Sequence, residues 1–152
     1  MKKEKALDDI DKNIIRILQE DARTSYREIQ DSLGISIGTI HNRIAKLRDY
    51  GIIEGYTLKL NNVKLGYKLT FLIRINCDGK HTEEILNEIK KIPEVCSIFH
   101  TTGEQSAALI CRFKSSEDVH HFIRELNERE FITRTNSNMI LKEYKNSSFV
   151  EM

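Results

Sequence analysis

The feature that most constrains this chain is a change of hydrophobic period near Gly51. Before it, apolar residues recur at helical spacing: Ile10, Ile14 and Leu18, then Tyr26, Ile29 and Leu33, then Ile40, Ile44 and Leu47. After it, Leu69, Phe71, Ile73 and Ile75 alternate with other residues, as in a half-buried strand. Such a pattern calls for helices first and a sheet second.

The helical third carries its own punctuation. Asp8 is placed to cap the first helix, and Asp11 lies in its first turn, where the helix dipole favours a carboxylate. Ser25-Tyr26-Arg27-Glu28 is a capping box that opens a short second helix, and Gly34 stops it. Ser36 caps the third helix and Gly51 ends it. Helix, short helix, glycine turn, helix is the helix-turn-helix order. Ile52, Ile53, Tyr56, Leu58 and Leu60 read as a short strand pair, a wing turning at Gly55. The polar stretch "NNVKLG", residues 61–66, reads as a linker.

The rest alternates strand and helix. After the strand at Leu69–Ile75, Thr82 is expected to cap a helix burying Ile85, Ile89 and Ile92, ended by Pro93. Strands follow at Val95–Thr102 and Ala107–Phe113, joined around Gly103. Ser115 and Asp118 open a helix carrying Val119, Phe122, Ile123 and Leu126, and a last strand runs Ile132–Tyr144. This order, βαββαβ, is the ferredoxin-like split βαβ unit. The expected fold class is α+β: a winged helix-turn-helix domain over 1–60, a linker over 61–66 and a βαββαβ domain over 67–152.

Composition narrows the function classes. No apolar run approaches the roughly 20 residues that span a bilayer, so no membrane partner is expected. The charged start "MKKEKALDDIDK" has no secretory h-region, which points to a cytoplasmic protein. Cys77, Cys96 and Cys111 lack CxxC spacing and sit in apolar strand-like runs, so they read as reduced, buried thiols. No metal is expected, because His120 and His121 are adjacent and would diverge on a helix, while His81, His100 and the cysteines lack ligand spacing. No GxxxxGK[ST], GxSxG or HExxH motif occurs, and no cofactor is expected.

Charge is informative locally. The chain balances 24 Lys+Arg against 23 Asp+Glu, yet no acidic residue lies between Asp31 and Asp49. That window holds Arg43, Lys46 and Arg48. With Ile40, Ile44 and Leu47 turned inward, Gly38, Thr39, His41, Asn42 and Lys46 face outward, with Arg43 at the edge. Small residues at Ser36 and Gly38 let the backbone approach a phosphate. His41 and Asn42 are of a length to reach base edges, and Arg43 and Lys46 can neutralise phosphates or read guanine. A lone basic helix is more often a solvated face. The capped helix before it, the glycine turn and the wing-like segment after it favour DNA. Arg43 has a second reading, in which its stem packs and its guanidinium pairs with a carboxylate.

These motifs together resemble the DNA-binding half of the Lrp/AsnC (leucine-responsive, feast/famine) regulators. The matching stretch is L-D-x-x-D at the first helix, D-A-R-x-S before the second, L-G-I-S into the third, then R-I-x-x-L and G-I-I-x-G-Y. The βαββαβ half resembles that family's effector and oligomerisation (RAM-type) domain. The resemblance implies a transcription regulator, not an enzyme, acting on double-stranded DNA as a homodimer or octamer. Half-sites would lie roughly 34–36 Å apart, in a pseudo-palindromic operator. It assigns DNA contact to Ser36, Thr39, His41, Asn42, Arg43 and Lys46, and a phosphate contact to Ser25.

The resemblance also implies a small amino-acid effector, held by a G-D-x-D turn and a T-x-[ST] pair. Here the turn reads Gly103-Glu104-Gln105-Ser106, while Thr135 and Ser137 keep the pair. Losing the carboxylate at Ser106, expected to point into the pocket, removes on the order of 1.5–3 kcal/mol of charge-assisted bonding to an ammonium. The ligand therefore differs, or the pocket is vestigial. The bland reading of Thr135 and Ser137 is two strand residues of good β propensity. The competing function is a metabolite sensor or enzyme on the βαββαβ fold, with the N-terminal helices serving protein contacts.

Overall fold

The computed structural model describes residues 6–147 and Val150. The chain divides into two compact units, one formed mainly by residues up to Lys59 and the other Leu60–Asn146.

The first unit holds α1 (Asp9–Glu20), α2 (Tyr26–Leu33) and α3 (Ile37–Asp49). Asp8 is the N-cap of α1, its carboxylate accepting from the Asp11 amide at 2.8 Å. Ser25 and Glu28 form both arms of the capping box on α2. Gly34 takes the left-handed conformation, with φ 66°, that turns the chain into α3. Ile14, Ile29, Ile40 and Ile44 form one core cluster, one or two from each helix. Tyr26, read as inward-facing, is exposed.

No strand pair forms among residues 52–60, contrary to the expected wing. The segment is irregular, and Tyr56, Leu58 and Leu60 are exposed. A strand needs a hydrogen-bonding neighbour, and this stretch finds none within the described chain. Residues 61–66, read as a linker, form a hydrogen-bonded turn: the Gly66 amide donates to the Val63 carbonyl and Tyr67 to Asn62.

The second unit holds β1 (Leu69–Cys77), α4 (Thr82–Ile89), β2 (Val95–His100), β3 (Ala107–Phe113), α5 (Ser116–Glu128) and β4 (Ile132–Met139). The sheet order is β2-β3-β1-β4, antiparallel throughout, as the split βαβ unit requires. Both helices cover one sheet face. Ile73, Ile75, Leu109 and Phe113 pack there against Ile85, Ile89, Val119, Phe122 and Leu126. The opposite face carries Leu72 across from Ile110 and Phe99 across from Ala108.

Element ends differ from expectation in four places. His81, not Thr82, is the N-cap of α4, and the Thr82 hydroxyl donates to the Asp78 carbonyl at 3.1 Å. Ile92 lies beyond that helix, although its side chain still packs on the core. The second strand stops at His100, where its pairing with Ala107 ends. The last strand stops at Met139, because β1 offers partners only as far as the Ile140 amide, which donates to the Thr70 carbonyl. Leu141 and Tyr144 are accordingly exposed. Of the cysteines, Cys111 is buried, Cys77 half-buried and Cys96 exposed, since a register irregularity between Val95 and Ser97 takes Cys96 out of the ladder. Burial pushes the Cys111 thiol up to about 12.

Candidate nucleic-acid interface and effector region

Helix α3 is set by its buried stripe. Ile40, Ile44 and Leu47 are at most 4% exposed, which fixes the rotation that turns Ser36, Gly38, Thr39, His41, Asn42 and Lys46 outward. The Ser36 hydroxyl accepts from the Thr39 amide at 3.2 Å and lies 2.9 Å from the Thr39 hydroxyl. These two side chains therefore form one polar unit at the helix start. A Cβ added at Gly38 would meet nothing closer than the Ser36 hydroxyl at 4.0 Å, so this edge of the helix is open. His41 packs edge-on against the Tyr26 ring of α2, with centroids 6.2 Å apart. Tyr26 thus braces an outward-facing side chain of α3 rather than filling the core.

Arg43 is held differently. Its Nη1 lies 2.8 and 2.6 Å from the two Asp8 carboxylate oxygens and 2.8 Å from Asp11 Oδ1. Asp11 is 3% exposed, so α3 is latched to the start of α1 by an ion pair that is buried on the acid side. Hydrogen bonding from Arg43 comes first among the causes that hold the Asp8 carboxyl below its usual range, and the two carboxylates raise the guanidinium in return. Asn42 and Lys46 share with Thr39 the cleft beside this latch. The pairing of Arg43 with a carboxylate is the second of its two sequence readings, and the structure identifies the partners as Asp8 and Asp11.

Ser25 lies at the exposed start of α2. Its hydroxyl and amide both donate to Glu28 Oε2 at 2.7 Å, which holds the Glu28 carboxyl below its ordinary value. The hydroxyl proton is thereby committed within the chain.

In the second unit, Gly103 with φ 112° turns the chain between β2 and β3. Ser106 is bonded to the backbone of β1. Its hydroxyl accepts from the Cys77 amide at 3.0 Å and donates to the Cys77 carbonyl at 3.4 Å, tying β3 to the irregular end of β1. The cleft at this turn is lined by Arg74, Thr101, Thr102, Glu104 and Gln105. Glu104 lies 3.9 Å from Arg134 of β4. Thr135 donates to Asn127 of α5 at 2.7 Å, and Ser137 sits across from Ile73, so both belong to the helix-covered side of the sheet edge. The structure therefore brings Glu104 to Arg134 of β4, next in the chain to Thr135. Arg74 and Gln105, which the sequence reading missed, carry no local motif.

Two family models cover this arrangement. Residues 7–54 match the one described as winged helix-turn-helix DNA-binding, and residues 70–149 match the one described as Lrp/AsnC ligand binding domain. The chain belongs to the Lrp/AsnC family. As an Lrp/AsnC protein it is a DNA-binding transcriptional regulator, and the reading as an enzyme falls away. It is 34% identical over 142 residues to the HTH-type transcriptional regulator FL11 of Pyrococcus furiosus, covering 93% of this chain and 94% of that one. It is 35% identical over 115 residues to the regulatory protein AsnC of Haemophilus influenzae, covering 75% and 77% respectively. Its fold superposes on E. coli AsnC with a TM-score of 0.89 at 26% identity, covering 95% of this chain and 99% of that one. A Neisseria meningitidis transcriptional regulator, solved as a complex with L-Met, matches with a TM-score of 0.89 at 27% identity, covering 94% and 95%.

Proposed function

We propose that this Lrp/AsnC regulator reads a pseudo-palindromic operator as a homodimer, with α3 in the major groove. The observation that carries this is the outward face of α3: Thr39, His41, Asn42 and Lys46, within a run free of acid from Ser32 to Arg48. Ser36 and Gly38 let the helix start approach the backbone, while a phosphate contact from Ser25 would require its hydroxyl to leave Glu28. Arg43 positions α3 through Asp8 and Asp11, and base contact falls to its neighbours. The test is binding to duplex DNA at rising salt. Affinity should fall steeply and log-linearly, and a chain with no affinity for DNA at low salt would overturn the reading.

The dimer is assigned to the uncovered sheet face. Leu72, Ile110 and Phe99 form its apolar centre, with Phe99 55% exposed. Four such dimers would make the octamer implied by the family.

The effector region departs from two-carboxylate chemistry. In the 103–106 turn only Glu104 is acidic, and Arg134 offsets it. With Ser106 engaged by Cys77, an α-ammonium bound there meets one screened carboxylate. The proposal is that zwitterionic amino acids bind weakly, and that regulation follows protein concentration or a ligand of other chemistry. The L-Met complex of the Neisseria relative supports a ligand site in this half without fixing its occupant here.

A further inference from the structure

A second acid-free run is longer than the one around α3. It extends from Gly55 to Cys77 and contains Lys59, Lys64, Lys68 and Arg74. The fold gathers part of it with lysines from two other segments. Phe113 pairs with Leu69, so Lys114 leaves β3 beside Lys68 as it enters β1. On the other side of β1, the Ile140 amide donates to the Thr70 carbonyl at 2.8 Å, which carries Lys142 to the same end. Lys114, Lys68 and Lys142 thus follow the sheet order β3-β1-β4. At a strand spacing of about 4.8 Å they form a row roughly 10 Å long. Lys64 projects from the turn just ahead of β1.

All four lysines are exposed, and among the described residues none forms an ion pair. Aromatic rings interleave them: the Lys114 ammonium lies 5.1 Å from the Tyr67 ring and Lys142 lies 4.7 Å from Tyr144. The nearby carboxylates are committed elsewhere. Asp118 accepts from the Ser115 amide in the α5 capping box, Glu117 accepts from Ser116, and Glu143 pairs with Arg112 and accepts from Asn146. Glu94 lies across β3, at the β2 edge, beside Lys90 and Lys91 in sequence. At the opposite end of β1 stand Asp78, Glu83 and Glu84.

From this juxtaposition we infer that the end of the sheet where β1 begins is a second contact surface for the duplex DNA backbone. Lys64, Lys68, Lys114 and Lys142 meet phosphates without reading bases. The row presents three cations at a spacing of about 4.8 Å to one stretch of backbone, and the long lysine side chains can adjust to the spacing of the phosphates. Lysine suits this role as a point charge. The inference rests on the reading of this chain as a duplex-DNA binder.

The test uses the full chain and a mixed-sequence duplex, with binding measured across a salt series. The variant K68A/K114A/K142A should lose about 0.9 of salt slope per lysine, equally on unrelated sequences. Lys46→Ala serves as the reference for α3. If the triple variant keeps the wild-type slope while Lys46→Ala loses about one unit, the inference is overturned and the α3 reading stands. If the wild-type chain binds no duplex, both fall. A second measurement needs no variant: acetylation of the wild-type protein with and without duplex, read by mass spectrometry. Several-fold protection of Lys68, Lys114 and Lys142 by DNA supports the surface, and unchanged labelling at all three overturns it.

Discussion

Arg43 shows how one side chain can be read two ways until its neighbours are known. It lies on the basic helix, yet its guanidinium is spent on Asp8 and Asp11. Arg43→Met should leave the buried Asp11 carboxylate without a cation, at a cost of about 2–3 kcal/mol, measurable by urea denaturation. It should also weaken DNA binding by loosening α3. The pair makes stability pH-dependent with a definite sign. Asp8 is held below its ordinary value of 3.8, so its contribution is complete above that pH and is lost as pH falls through the depressed value. Acid titration of the melting temperature should show a smaller drop in Arg43→Met than in wild type. A drop of equal size would show that the latch does not carry the acid sensitivity. Ser106 gives a parallel case. Ser106→Ala should cost about 1 kcal/mol by removing the bridge to the Cys77 backbone, whatever ligand is present.

At the scale of elements, the helix-turn-helix depends on Gly34 more than on any propensity. Its φ of 66° aims α3 away from α2, and a side chain there is strained even though a Cβ would meet no atom within 4 Å. Gly34→Ala should therefore destabilise the fold by about 1 kcal/mol with no change in charge. Lys46→Ala should leave stability unchanged and reduce the salt slope of DNA binding by about one. An unchanged slope would mean that α3 does not face the duplex. Capping boxes and buried stripes made the helices legible, because each is written within four or five residues. The state of the segment after α3 was not legible. Residues 52–60 have strand-like composition, but a strand exists only where another backbone completes its ladder. The end of β4 was overshot for the same reason: its apolar pattern continues to Tyr144 while β1 has run out.

At the scale of the whole molecule, assembly and ligand response are the testable properties. Replacing Leu72 and Ile110 with Glu on the uncovered sheet face should convert a dimer to monomer in sedimentation, because like charges would then face each other across the two-fold contact. A persistent dimer would place the interface elsewhere. Melting of the wild-type protein against each of the twenty amino acids should show no stabilisation. A ligand at a hundred times its Kd would add about 2.7 kcal/mol, so a clear rise with any one would overturn the proposal of a weakened pocket and name the signal.

The sequence by itself determined the order of elements, the caps of α1, α2, α3 and α5, the two cores and the acid-free run ahead of Asp49, because these are local patterns that backbone geometry translates directly. It also carried the family, whose motifs run almost unbroken from Leu7 to Gly66. Only the tertiary structure decided what distant residues do to one another. It gave Arg43 its partners Asp8 and Asp11, tied Ser106 to the Cys77 backbone, exposed Cys96, and drew lysines from three segments to one end of a sheet. Partners such as Arg43 and Asp11 lie far apart in the chain, and no local spacing records which of several carboxylates a guanidinium will meet once the core has set the distances.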